Sequence, residues 1–160
     1  VASISGTDWQ AHSEQVNGLL DTHGFAEGSA WFESNPSSDG SGAYTLSKQC
    51  VVAYTKRIAE RGLAGHFNCN SVSPGPVETP LLQDFHKQEY PGQIDWVIAQ
   101  TGRAATTQDI AKVMSFLITP EARWINGQDI QVDGGFIAGL EAGWIDGSQS
   151  PRRLAARRGQ

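Results

Sequence analysis

Tyr44 and Lys48 stand four residues apart at the head of a segment that continues Cys50-Val51-Val52-Ala53-Tyr54 and reads as a helix. That spacing is just over one helical turn, so a phenol and an ammonium project side by side from one face. A phenol titrating near ~10 is a poor general base at neutral pH, and a neighbouring positive charge favours its ionised form. The pair can therefore exchange a proton with an oxygen held beside it. Tyrosine and lysine fall at this spacing by chance in many helices, so the elements around them decide what the pair means.

The helix itself is expected over residues 43–61, with Ser47, Cys50, Val51, Tyr54 and Ile58 along a buried stripe and Gly62 as its stop. Upstream, residues 1–6 read as the end of a strand, Ser13, Val16, Leu19 and Leu20 have the spacing of a short amphipathic helix, and residues 34–42 are turn material. Downstream, Phe67-Asn68-Cys69-Asn70-Ser71-Val72-Ser73 has strand character and runs into Pro74-Gly75-Pro76-Val77-Glu78-Thr79-Pro80. Residues 81–101 carry Leu81, Leu82, Phe85, Tyr90, Trp96, Val97 and Ile98, the pattern of one or two short helices. Thr106 is a candidate N-cap with Asp109 near the positive helix end, and Ile110, Val113, Met114 and Leu117 recur at helical spacing. Residues 127–135 read as a strand closing on a glycine pair, and residues 143–160 as a polar, solvated tail with Arg152, Arg153, Arg157 and Arg158.

Tyr-x-x-x-Lys, a strand leading into Asn-x-x-x-Pro-Gly-x-x-x-Thr, and a last strand ending Asp133-Gly134-Gly135 stand here in that order. In these three motifs the chain resembles the short-chain dehydrogenase/reductase family, and the resemblance extends from Val1 to about Gly135. It implies an α/β fold, the C-terminal part of a doubly wound, parallel-sheet Rossmann-like domain. Residues 1–142 would then be the C-terminal half of one such domain, with residues 80–101 as a substrate lid. No Gly-x-x-x-Gly-x-Gly or Gly-x-Gly-x-x-Gly occurs in the 160 residues, so the expectation is that a dinucleotide-loop half of roughly 130 residues precedes Val1. Tyr44 follows Ser3 by 41 positions, a longer separation than the family usually has, and residues 7–42 look like an insertion. This spacing, with Glu78-Thr79-Pro80-Leu81-Leu82, resembles the 3α-hydroxysteroid dehydrogenase/carbonyl reductase and coniferyl-alcohol dehydrogenase branch.

The resemblance implies an enzyme that moves a hydride between an alcohol carbon and NAD or NADP, with Tyr44 as general acid/base and Lys48 supporting the phenolate and holding the nicotinamide ribose. Ser3 is the choice for the serine that orients the substrate oxygen, and Ser5 the second candidate. Pro74, Gly75, Val77 and Thr79 match the turn that meets the nicotinamide. Leu81, Leu82 and Phe85 would line a pocket for a hydrophobic secondary or aromatic alcohol, steroid-like or coniferyl-like, although core packing under a loop explains such side chains equally well. Asp133-Gly134-Gly135 reads as a structural turn. The other reading open at this point is an inactive fragment or scaffold that keeps the motifs without binding a cofactor.

Composition narrows the partners. A net charge of -5 and pI near 5.3 argue against nucleic acid, which demands a concentrated basic surface. Cys50 and Cys69 sit in apolar contexts and suit reduced thiols. His12, His23, His66 and His86 show no metal-ligand spacing, and Trp124 and Trp144 read as packing groups. With no apolar run of membrane-spanning length, the expectation is a cytoplasmic protein, and the resemblance implies a homo-oligomer, dimer or tetramer, whose partner is a small hydrophobic alcohol or ketone.

Overall fold

A computed structural model describes residues 1–35, 42–88 and 90–158 of the chain. In chain order the described elements are α1 (Ser13–Leu20), α2 (Gly24–Ser34), α3 (Gly42–Gly65), β1 (Ser71–Pro74), α4 (Pro80–Gln88), α5 (Gln93–Thr101), α6 (Thr107–Leu117), β2 (Asp129–Val132), α7 (Phe136–Ala142) and α8 (Pro151–Arg158). Short 3-10 turns occur at Ile4–Gly6, Trp9–His12, Pro120–Ala122 and Gly147–Gln149. The chain divides into two units, Val1–Ser73 with Phe116–Ile130, and Pro74–Ser115 with Gln131–Gln160.

β1 and β2 are hydrogen-bonded neighbours. The Ser71 N–H donates to the Gln128 carbonyl at 2.9 Å and the Gly75 N–H to the Val132 carbonyl at 3.3 Å, the same offset both times, so the strands run parallel. Successive strand residues present their polar groups to opposite edges, and the Val72 carbonyl accordingly faces away from β2 and accepts from the Ala2 N–H at 2.8 Å. Ala2 is thus bonded to the second edge of β1, but residues 1–6, expected as the end of a strand, form no strand, and residues 4–6 make a 3-10 turn. The expected strand over 67–73 is shorter because the asparagines replace ladder bonds with side-chain ones. Asn68 and Asn70 donate to the carbonyls of Arg123 and Ile125, and the Asn126 side chain accepts from the Cys69 N–H. Within β1, Ser71 and Ser73 can lie buried because both hydroxyls donate to the Asp129 carboxylate, at 2.6 and 2.8 Å.

The core of the first unit is Val16 of α1 against Leu46, Cys50 and Ala53 of α3, with Trp9, Leu19, Leu20, Trp31 and Phe32 packed around it. The α1 spacing read from sequence is therefore the spacing that folds. Helix α2 was not expected. Its glycines dilute the helical signal, and Trp31 and Phe32 hold it by packing. Most of the turn read over 34–42 lies outside the described residues.

The buried stripe of α3 differs from the expected one. Ser47 and Tyr54 are exposed, Val51 and Ile58 half-buried, and Leu46, Gln49, Cys50, Val52, Ala53 and Thr55 face inward. Apolar periodicity misses this face because it includes two satisfied polar residues. The Gln49 amide donates to Asp8, and the Thr55 hydroxyl donates to the Val51 carbonyl at 2.8 Å. Gly62 is likewise inside the helix rather than its stop. The chain leaves α3 at His66, with φ 57°, and the Phe67 N–H reaches back to the Gly62 carbonyl at 3.1 Å, the six-to-one bond of a Schellman end.

In the second unit the expected pair of short helices is present as α4 and α5. Helix α6 begins with the cap read from sequence: Thr106 Oγ1 accepts from the Asp109 N–H, while the Asp109 carboxylate accepts from the Thr106 N–H at 2.8 Å. Asp133 caps α7 by accepting from the N–H groups of Gly135 and Ile137, both at 2.9 Å, which bears out a structural role for Asp133-Gly134-Gly135. Trp96 and Phe136 meet edge to face, ring centres 5.7 Å apart. Where a polar tail was expected, residues 151–158 form α8, joined to α5 by the Arg152 N–H donating to Gln93 Oε1 at 3.2 Å. Trp124 is 95% exposed and packs little, whereas Trp144, also exposed, lies beside Gly139.

Candidate active site

The first unit brings the proton-transfer candidates onto one helix and one turn. Tyr44 and Lys48 occupy the first two turns of α3 and are both half-buried. Lys48 Nζ lies 5.5 Å from the centre of the Tyr44 ring and donates to the Val1 carbonyl at 3.4 Å. Helical spacing makes the two side chains neighbours, and the carbonyl of residue 1 holds the ammonium near the phenol.

Ser3 is buried at the start of the Ile4–Gly6 turn, where its Oγ accepts from the Ser5 N–H at 3.2 Å. This leaves the Ser3 hydroxyl proton available for donation, since an N-cap oxygen acts as acceptor. Ser5 is half-buried in the same turn. The turn presses against α3. A Cβ added to Gly6 would come 2.6 Å from the Lys48 carbonyl oxygen, closer than any side chain tolerates, so only glycine permits this approach.

Cys50 sits close to Lys48 in sequence on α3 but has no part in such chemistry. Burial pushes its thiol up to about 11, with the Arg57 charge opposing, so it stays protonated and unreactive at neutral pH. Both cysteines are free. Among the described residues no cluster of histidine, cysteine and carboxylate side chains could hold a metal ion, and no helix is long and apolar enough to cross a membrane.

The second unit holds the turn after β1. Val77 pairs with Ala105 in an isolated parallel bridge, in which the Pro76 carbonyl accepts from the Ala105 N–H and the Glu78 N–H donates to the Ala105 carbonyl, both at 2.8 Å. A parallel bridge uses the groups flanking its central residue, so the N–H and C=O of Val77 point to the opposite edge. Thr79 Oγ1 reaches the Val77 carbonyl only at 3.4 Å. Gly75 has a packing reason of its own: a Cβ there would lie 3.3 Å from the Asp133 Cα. Pro74 ends β1, and Thr79 precedes α4, on which Leu81 is 58% exposed while Leu82 and Phe85 are half-buried.

The shortest ion pair among the described residues of this unit lies at the start of α6, Arg103 to Asp109 at 2.8 Å. Hydrogen bonds from Arg103 and then Thr106 hold the Asp109 carboxyl far below its usual range, and the same pair raises Arg103. It secures the helix start beside Ala105, whose partner is Val77. Two polar residues escaped the sequence reading altogether, Asp8 and Gln49, which no motif marks and which join only in three dimensions.

Residues 28–137 match a family model described as enoyl-(acyl carrier protein) reductase. The chain is 31% identical over 128 residues to the coniferyl-alcohol dehydrogenase of Pseudomonas sp. (strain HR199), covering 79% of this chain and 50% of that enzyme. It is 38% identical over 90 residues to the 3-alpha-hydroxysteroid dehydrogenase/carbonyl reductase of Comamonas testosteroni, covering 55% of this chain and 35% of that enzyme. The crystal structure of the 3-alpha-hydroxysteroid dehydrogenase from Pseudomonas sp. B-0831, complexed with NADH, superposes with a TM-score of 0.73 at 27% identity, over 91% of this chain and 56% of that one. That superposition leaves out fewer residues than residues 7–42 contain, so it takes in part of the long Ser3–Tyr44 connection. The chain spans about half the length, or less, of the curated relatives it matches, and corresponds to the C-terminal portion of Rossmann-fold enzymes. On the extent of the family match, the chain belongs to the short-chain dehydrogenase/reductase family.

Proposed function

We propose that the protein carrying this chain is an NAD(P)-dependent oxidoreductase that interconverts a hydrophobic secondary or aromatic alcohol, steroid-like or coniferyl-like, and its carbonyl. The observation that carries this reading is the half-buried Tyr44 with the Lys48 ammonium 5.5 Å from its ring centre on the same helix. Tyr44 takes the hydroxyl proton in oxidation and returns it in reduction. Lys48 supports the phenolate by its charge and binds the nicotinamide ribose. Ser3, or Ser5 as the second candidate, donates a hydrogen bond to the substrate oxygen and orients it toward the phenol.

The turn in the second unit fits a nicotinamide. Val77 keeps an N–H and a C=O off its bridge, the donor and acceptor set that a carboxamide requires. Pro74, Gly75 and Thr79 complete this contact, Pro74 by fixing φ and Thr79 by its hydroxyl. When bound, the nicotinamide supplies the hydride donor or acceptor. Leu81, Leu82 and Phe85 of α4 bind the apolar body of the substrate, burying surface at about 25 cal/mol per Å². The similarity to enzymes named for coniferyl alcohol and for 3α-hydroxysteroids supports this substrate class, as does the matched connection between Ser3 and Tyr44. Association with further copies of the same protein and a cytoplasmic location accompany the reading.

The test is turnover by the purified protein with NAD or NADP and two panels, hydroxysteroids with coniferyl alcohol in one and short polar alcohols in the other. Appearance of reduced nicotinamide with the first panel, at kcat/KM at least about 10-fold above the second, is expected from the apolar contribution of α4. Preference for the short polar alcohols would contradict the substrate assignment.

A further inference from the structure

Gln49 follows Lys48 on α3, is only 2% exposed, and donates through Nε2 to Asp8 Oδ1 at 2.8 Å. The other carboxylate oxygen of Asp8 lies 3.5 Å from His12 Nε2 on an open surface. The chain between Ser3 and Asp8 is closed on itself. The Gly6 N–H donates to the Ser3 carbonyl at 2.9 Å, the Thr7 hydroxyl to the Ile4 carbonyl at 2.9 Å, and the Ser5 N–H to Ser3 Oγ at 3.2 Å. Two of the contacts this turn makes with α3 are Gly6 against the Lys48 carbonyl and Asp8 against the Gln49 side chain.

The two contacts differ in kind. Gly6 fits by shape alone, and a shape contact with a helix groove restrains approach more than it restrains sliding. The amide-to-carboxylate bond is directional and fixes both position and angle. Gln49 is buried, and the Asp8 carboxylate is the acceptor that satisfies its amide in the fold.

We propose that Asp8 and Gln49 are a positioning pair for the proton transfer: their hydrogen bond sets the register of the serine-bearing turn against Tyr44 and Lys48. Neither side chain touches a reacting atom. The inference rests on the reading of Tyr44 and Lys48 given above. It assigns a catalytic consequence to the long connection between Ser3 and Tyr44, because that connection supplies the carboxylate.

A small misplacement of a reacting group is enough to cost up to about 100-fold in rate, so the pair is read through kcat. In the complete protein, Asp8→Ala is expected to lower kcat by about 10-fold or more with the KM for the nucleotide within about twofold. Asp8→Asn, which keeps a carbonyl acceptor for Gln49, is expected to retain kcat within about threefold. Gln49→Leu should match Asp8→Ala, and the double variant should be no slower than either single one, because both changes remove one bond. Gln49→Leu also supplies an arm that does not depend on Asp8→Ala folding.

Wild-type kcat in Asp8→Ala and Gln49→Leu overturns the proposal, even where the thermal midpoint falls. So does an equal loss in Asp8→Asn and Asp8→Ala, which assigns the effect to charge, and so does an additive loss in the double variant. Tyr44→Phe measured in parallel separates the two levels. Retained turnover there removes the underlying reading, whereas lost turnover there with wild-type kcat in Asp8→Ala removes only the role of the pair.

Discussion

The proposed proton-transfer residues and the proposed substrate-facing residues are supported in different ways. Tyr44 and Lys48 project from a 24-residue helix whose opposite side is anchored by Leu46, Cys50 and Ala53 against Val16. Leu81, Leu82 and Phe85 project from a nine-residue helix with no buried side chain among its described residues, entered from a turn held by one bridge, Val77 with Ala105. A proton must be passed over a fixed distance, and a rigid helix supplies that. A hydrophobic substrate can be enclosed by a shorter and less deeply packed element. On the proposed function, the two regions separate what sets the rate from what sets affinity.

Leu46→Ala should have the larger effect on folding. It leaves a void beside fully buried Val16, and a loss of about 2–5 kcal/mol is expected from the cost of truncating a buried leucine. Denaturant unfolding of the complete protein checks this, and a loss below about 1 kcal/mol would mean that the helix takes its rigidity from elsewhere. Leu81→Ser should do the reverse. Leu81 is 58% exposed, so stability should move by no more than about 0.5 kcal/mol, while KM for the hydrophobic alcohol rises and kcat is kept. A fall in kcat at unchanged KM would place α4 in the chemical step and erase the distinction between the regions.

The sequence made helix α3, the paired strands, the separate helices α4 and α5 and the Thr106–Asp109 cap readable, because each is written in local pattern. It misplaced the inward face of α3 because Gln49 and Thr55 are polar, and polarity marks a residue as outward unless its partner is known. Gln49 finds Asp8 41 residues away, a distance over which no periodicity carries information. Helix α2 and helix α8 were missed for related reasons. The first is interrupted by Gly28, and the second reads as a charge run although Leu154 and Ala155 turn inward. The Tyr44–Lys48 pairing was legible because helix geometry alone makes residues four apart neighbours.

The steady-state kinetics of Tyr44→Phe test the central claim most directly. Removing only the phenolic oxygen should lower kcat by about 10²–10⁴-fold, the range expected for a lost general acid/base, while nucleotide affinity measured by titration stays within a few-fold of the parent. Near-parental kcat in a folded Tyr44→Phe protein would contradict the assignment of this phenol to the proton transfer.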